Sequence, residues 1–209
     1  MCGFIGYIDT KKSINKIEKA LNLILHRGPD SKRVIYDDDT SFLLGFCRLS
    51  IQDTSEDAMQ PLMDNENKII IMFNGEIYNF IALREKLISA NYKFKTRSDT
   101  EVLLNGYKEW GLEKLLTKID GMFSFVIIDK KIQKVLMVRD HFGIKPLYFS
   151  ENNGLKFSSE IKSITYLSET MHWNREGAIS SLFTGMAQVG STPYYKVKEV
   201  KPGNYLVYD

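Results

Sequence analysis

A chain of 209 residues with 44% apolar and 12% aromatic side chains is long enough for one large domain with a sizeable buried core. Its 28 Lys and Arg against 26 Asp and Glu leave a net charge of +2, which is no electrostatic footprint for nucleic acid. Two cysteines cannot build a disulfide framework, no apolar run reaches the roughly 18–20 residues of a membrane span, and no basic-then-apolar leader opens the chain, so a reduced, cytoplasmic setting is expected with no membrane partner.

Residues 2–8 (CGFIGYI) read as a buried strand. The nearest thing to a basic cluster, Lys11 and Lys12, is short and reads as solvated. Residues 13–26 read as a helix, because Ile14, Ile17, Leu21, Ile24 and Leu25 recur at spacings of three and four, and Gly28-Pro29 stops it. Residues 42–46 form a short apolar strand that leads into Arg48, and residues 68–73 (KIIIMF) a fully apolar one that runs into NGEIYN. Helices follow over 81–90, with Leu83, Leu87 and Ile88 inward, and over 99–110, with Val102, Leu103 and Tyr107 on one side. From Gly121 the texture changes to strands in GMFSFVIID, KVLMVRD, KPLYFS and LKFSSE, separated by charged or glycine turns. Residues 161–167 and 174–183 read as helices, and 194–208 as strands with Pro202-Gly203 between them. Helices early and hairpin-linked strands late argue for a layered α+β domain with antiparallel sheets rather than an alternating parallel one.

The polar groups that adjoin these apolar elements form a chemical set. Cys2 begins the first strand, one proteolytic step from being N-terminal. With Met1 removed, its α-amine, titrating at about 7.7–8.0, would sit beside its own thiol at about 8.5. A base and a nucleophile then share one residue. Alone, Cys2 reads rather as a small hydrophobe that starts a strand. Arg48 ends a strand, where it could simply be solvated, and Asn74-Gly75 is an ordinary turn signal followed by Asn79 as a helix cap. Ser98-Asp99-Thr100-Glu101 matches a capping box with Glu101 at its third helical position. HRGPD is a competent helix stop. Together they supply a sulfur, a cation, an amide, a flexible N–H and two carboxylates, the set needed to grip an amino acid and attack its side-chain carbonyl. His26, His141 and His172 lie in unrelated segments, so no metal is expected.

The words MCGFIGYID, LHRGPDS, CRLSIQD, FNGEIYNF, SDTEV, GMFSFVIID, RDHFGIKPLYF, FSSEIK and KPGNYL occur in one order across essentially the whole chain. In wording and order the chain resembles the N-terminal glutaminase domain of glutamine-dependent asparagine synthetases, a class II glutamine amidotransferase. The resemblance implies an N-terminal-nucleophile hydrolase fold, two packed antiparallel β-sheets sandwiched between helix layers, with residues 1–209 forming that single domain. It implies Cys2 as the nucleophile that forms a γ-glutamyl thioester, with its α-amine as general base. It implies that Arg48 holds the glutamine α-carboxylate, that the Asn74 amide and Gly75 N–H form the oxyanion hole, and that Glu76 and Asp99 bind the α-ammonium. It implies that the run Leu49, Ser50, Ile51 and Gln52 lines the pocket, with Gln52 at a position where the family usually carries an apolar residue.

The resemblance also implies glutamine as substrate, no cofactor for this domain, and a C-terminal synthetase domain or partner subunit that uses Mg-ATP. The serine-glycine-glycine pyrophosphate loop of that domain is absent from these residues. A homodimer is compatible with the family. Two alternatives remain open: a non-catalytic interaction or regulatory module that keeps the fold, and an amidotransferase half that serves an acceptor other than aspartate. The stretch GMAQVGSTPYYKVKEV is only loosely similar to the family, which bears on the second.

Overall fold

The computed structural model describes residues 1–8, 14–37, 41–168, 172–185 and 189–209; Lys11, Lys12 and Ser13 therefore lie outside the described residues. In chain order the elements are β1 (Gly3–Ile8), α1 (Ile14–Asn22), β2 (Ser31–Asp37), β3 (Phe42–Arg48), β4 (Leu62–Met63), β5 (Ile69–Ile77), α2 (Phe80–Ser89), α3 (Asp99–Leu116), β6 (Gly121–Asp129), β7 (Lys134–Arg139), β8 (Tyr148–Ser150), β9 (Leu155–Ser158), α4 (Ile161–Leu167), α5 (Arg175–Thr184), β10 (Lys198–Glu199) and β11 (Tyr205–Tyr208). Single turns of 3₁₀ helix add Leu25–Arg27 and Glu56–Ala58. No helix among the described residues is long and apolar enough to cross a membrane.

Two antiparallel sheets stack face to face. One has the order β10-β8-β9-β1-β3-β2, the other β11-β7-β6-β5-β4. The continuous apolar run in β5 follows from burial on both faces. Successive side chains of a strand point to opposite faces, so Ile70 and Met72 meet the first sheet while Ile69, Ile71 and Phe73 face helices. The same alternation sorts β6, with Val126 and Ile128 between the sheets and Phe123, Phe125 and Ile127 under the helices. Phe4, Phe42, Leu44 and Phe46 fill the gap from the other side.

Helices close both outer faces. Ile17, Ala20 and Leu21 of α1 and Ile24 beyond it cover Ile5, Leu43 and Cys47, with Leu167 of α4 alongside. Leu83 and Leu87 of α2 and Val102, Leu103 and Tyr107 of α3 cover the second sheet. The layer order is helices, sheet, sheet, helices, as expected.

Several local expectations are corrected. Ile88 is exposed, because Leu83 and Leu87 at i and i+4 already complete the inward stripe of α2. Ile14 is likewise exposed. The helix expected to end at residue 110 continues to Leu116 through a bend at Gly111, whose φ of 73° suits a glycine. Asn74-Gly75 makes no turn, since β5 runs through it to Ile77. KPLYFS is strand only from Tyr148.

A loop at one end of the sandwich is built around two adjacent side chains. The Asp140 carboxylate accepts from the N–H groups of Phe123 (3.2 Å), Phe142 (3.0 Å), Ile144 (2.9 Å) and Lys145 (2.9 Å). Arg139 donates to the carbonyls of Lys145 (2.9 Å), Val200 (2.8 Å) and Gly143 (2.8 Å). Removing a buried acceptor leaves each donor with a desolvation cost of about 1–3 kcal/mol. Asp140→Ala is therefore expected to lower the unfolding free energy by about 3 kcal/mol or more, read by urea denaturation. A loss below about 1 kcal/mol would show that the loop does not lean on this carboxylate.

Candidate active site

At the same end of the sandwich lies a cavity of about 150 Å³ lined by Met1, Cys2, Arg48, Leu49, Ile51, Gln52, Asn74, Gly75, Glu76, Asp99 and Lys145 among others. The strands deliver these groups. The register Gly3↔Cys47 between β1 and β3 brings Cys2 alongside Arg48 at the end of the ladder. Asn74, Gly75 and Glu76 come from the last stretch of β5, and Asp99 is the first residue of α3.

Cys2 is held through its carbonyl. Arg27 Nε donates to it at 3.0 Å. The Asn74 amide, oriented by its hydrogen-bond partners, donates Nδ2–H to the same oxygen at 3.0 Å, and its Oδ1 accepts from Arg27 Nη2 at 3.3 Å. Arg27 is itself fixed by Glu160 at 3.1 Å. The thiol sits against Leu49, whose N–H donates to Sγ at 3.4 Å. Burial pushes the Cys2 thiol up from its ordinary value, against the Leu49 N–H, the N-terminal ammonium and Arg48, and Asp99 adds to the rise. A thiol held in that state needs a base to become a nucleophile. Cys47 is a different case. It is fully buried, donates to the Gly3 and Ile24 carbonyls, and is pushed by burial to about 11. It is core.

The free edge of β5 presents three N–H groups. Phe73 N–H donates to Gln60 Oε1 at 2.6 Å and Ile77 N–H to Asp99 Oδ2 at 3.0 Å. Alternation along the strand aims the Gly75 N–H the same way, between those two. Phe123, opposite Gly75, commits its N–H and C=O to Asp140 instead. The Gly75 N–H thus faces the cavity. A Cβ there would stand 2.2 Å from the Met122 carbonyl, so the position admits only glycine.

Arg48 is buried, and its guanidinium donates to Ser55 O at 2.7 Å and to Asp53 O. Those carbonyls aim the fork and leave part of its five donors for a ligand. Asp53 is held in turn, with its carboxylate on Ser55 and the Arg97 N–H. Gln52 Nε2 donates to Glu76 Oε1 at 3.4 Å across the cavity mouth. The structure brings every expected site residue to the cavity except Ser50, whose N–H donates to Asp30 and which lies outside the lining. Two capping expectations also change. Asn79 makes no cap hydrogen bond; its amide bridges Lys118 O and Asp120 N–H. Ser98 caps α3 by accepting from the Glu101 N–H, but Glu101 reaches past it to Lys95 and Thr96, so the reciprocal half of the box is missing.

Arg27, Gln60 and Lys145 were not expected at the site. Each lies in or beside a motif with another explanation: Arg27 in the helix stop, Lys145 in a strand word. A charged or amide side chain among apolar neighbours is the signal that marks Gln60 and Lys145; Arg27, in HRGPD, has none. Among the described residues no group of three or more His, Cys, Asp or Glu could hold a metal ion.

A glutamine amidotransferase domain family model matches residues 1–209. Asparagine synthetase (glutamine-hydrolysing) 1 of Bacillus subtilis is 39% identical over 98% of this chain and 33% of its own length. Asparagine synthetase B of Escherichia coli is 36% identical over 88% of this chain, and the amidase chry2 of Gibberella zeae 33% over 99%. The chain spans about a third of the length of these curated relatives. Among solved structures, the glutamine phosphoribosylpyrophosphate amidotransferase of B. subtilis superposes over 99% of this chain and 47% of its own with a TM-score of 0.73 at 19% identity. The fold is that of the N-terminal-nucleophile hydrolases.

Asp99 yields a stability test. Burial, with Glu76 adding to it, pushes its carboxyl from 3.8 to about 6, against the Ile77 and Thr100 N–H groups. Below the ordinary value the proton is bound in folded and unfolded chains alike and no cost arises. Above about 6 both are ionised and the folded state bears the difference, about 3 kcal/mol. Asp99→Asn is expected to gain up to about 3 kcal/mol at pH 7.5 by urea unfolding, with the gain vanishing near pH 4. Equal midpoints at pH 7.5 would show a solvated carboxylate.

Proposed function

This chain belongs to the glutamine amidotransferase domain family, and from that premise we propose that it hydrolyses glutamine to glutamate and ammonia through a thioester on Cys2. In this reading residues 1–209 are one such domain, and Met1 is removed first. What supports it is a single juxtaposition: a desolvated thiol, a buried guanidinium, an amide, a cavity-facing N–H and a buried carboxylate line one cavity.

The steps balance on the chain's own groups and water. The substrate α-carboxylate sits on Arg48 and the α-ammonium between Glu76 and Asp99, which places the side-chain amide carbon over Sγ. The Cys2 α-amine takes the thiol proton, and Sγ forms a bond to that carbon. The carbonyl oxygen becomes an oxyanion held by the Gly75 N–H and the second N–H of the Asn74 amide. Collapse breaks the C–N bond, and the amine returns its proton to the departing nitrogen, which leaves as ammonia. Water then gives a proton to the amine while its oxygen attacks the thioester carbonyl. The second tetrahedral species expels the sulfur, which takes back the proton as glutamate departs.

The ammonia serves an ATP-dependent synthetase domain, with aspartate as the acceptor favoured by the asparagine synthetase relatives. An acceptor other than aspartate is the second reading, and the loosely matching stretch at 185–200 is where that difference would be read.

Cys2→Ala is expected to abolish glutamate release while the cooperative thermal transition persists; turnover in that variant would contradict the nucleophile. Arg48→Ala removes a charged, bidentate contact made equally in ground and transition states, so KM is expected to rise roughly tenfold or more with kcat little changed. A fall in kcat at constant KM would contradict the carboxylate role.

A further inference from the structure

One cation in the cavity has no part in gripping the two charged ends of an amino acid. Lys145 is only 5% exposed and lines the cavity with Met1 and Cys2. Its Nζ donates to Met1 Sδ at 3.1 Å. A thioether is a weak acceptor, and a buried ammonium on so weak a partner is costly to the fold. The side chain is nevertheless aimed there by a clamped backbone: its N–H is on the Asp140 carboxylate and its carbonyl on Arg139, both at 2.9 Å. When Met1 leaves, this ammonium loses that acceptor and faces the cavity that Cys2 also lines.

We propose that Lys145 is a positioning residue that keeps the α-amine of trimmed Cys2 in its uncharged, proton-accepting form at neutral pH, by fixing a positive charge in the cavity that Cys2 lines. The inference rests on the reading of Cys2 as nucleophile. An α-amine titrates at about 7.7–8.0 in water, so at pH 7 most of it would carry a proton and could not act as base. A like charge nearby in a low-dielectric setting favours the neutral amine. The same charge favours the thiolate and makes the ammonium formed during attack a readier donor to the departing nitrogen. No bond to Lys145 is made or broken.

The charged groups around the pair come from every packed element: Arg27 before β2, Arg48 at the end of β3, Glu76 in β5, Asp99 at the start of α3 and Asp140 after β7. Burial and Arg27 lower Lys145 from its ordinary value, while Asp140 and Glu76 hold it up. Arg48, with its fork on Ser55 and Asp53, is committed to the ligand carboxylate, and Arg27 to the Cys2 carbonyl. Lys145 is the cation of the three whose ammonium rests on Met1 alone among the hydrogen bonds it makes there.

The test uses the trimmed protein labelled with ¹⁵N-cysteine, whose Cys2 amine nitrogen is titrated by NMR, together with the pH profile of kcat/KM. Two neutral replacements, Lys145→Met and Lys145→Gln, guard against a packing failure of either, and Lys145→Arg restores charge. In both neutral variants the amine is expected to titrate about one pH unit higher, the acid limb of kcat/KM to move with it, and turnover at pH 6.5 to fall roughly tenfold with KM little changed. Lys145→Arg is expected to follow the wild type. Coincident amine titrations in wild type and both neutral variants would overturn the inference, as would an arginine variant that behaves like the neutral ones. The titration is read without turnover. If a glutamine-like electrophile fails to label Cys2 in the wild type, it is the nucleophile reading that fails.

Discussion

An N-terminal nucleophile that uses its own amine as base cannot be anchored through that amine. Its main chain has only the carbonyl to offer, and here Arg27 and Asn74 both seize it at 3.0 Å. Arg27 belongs to the turn below the first sheet and Asn74 to a strand of the second, so this one oxygen joins the two layers at the site. Behind Cys2 the chain runs straight into β1, flanked by β3 and β9. The sulfur is therefore placed by the whole sandwich, and every other group of the cavity is placed relative to it.

Desolvation is the second constraint. It raises the Cys2 thiol, raises Asp99 to about 6 and lowers Lys145. For each group the charged form costs more here than it would in water. In the proposed reading a zwitterionic amino acid would relieve part of this, its ammonium supplying a countercharge to Asp99 and its carboxylate completing the fork of Arg48. Binding and stability are in tension at such a site. The carboxylate that destabilises the empty fold is the one that makes the ligand welcome.

The layered architecture was legible because its cause is simple. Strands covered on both faces read as unbroken apolar runs, as in β5 and β6, and helices covered on one face read at spacings of three and four. What escaped had other causes. β2 is an edge strand whose SKRVIYD carries charge on both faces, so it shows no core signal. β4 is two residues long. Asn74-Gly75 looks like a turn because nothing local says that its backbone edge faces a cavity. Of the site, the residues in the joint wording were readable down to Cys2, Arg48 and Asp99. Arg27 and Lys145 were not, because their contacts are made across the fold and each sat in a word that already had a use. Ser50 was carried along by its neighbours, although its N–H is on the Asp30 carboxylate and it lies outside the cavity lining.

The central claim is that the sulfur of Cys2 is the reacting atom of a glutamine site. Its most direct test is to treat the trimmed wild-type protein with a glutamine analogue that carries an electrophilic ketone in place of the side-chain amide, and to locate the adduct by mass spectrometry. The account predicts one equivalent bound, on Cys2, with Met1 absent and Cys47 untouched. An adduct elsewhere, or none on a chain that has lost Met1, would contradict it.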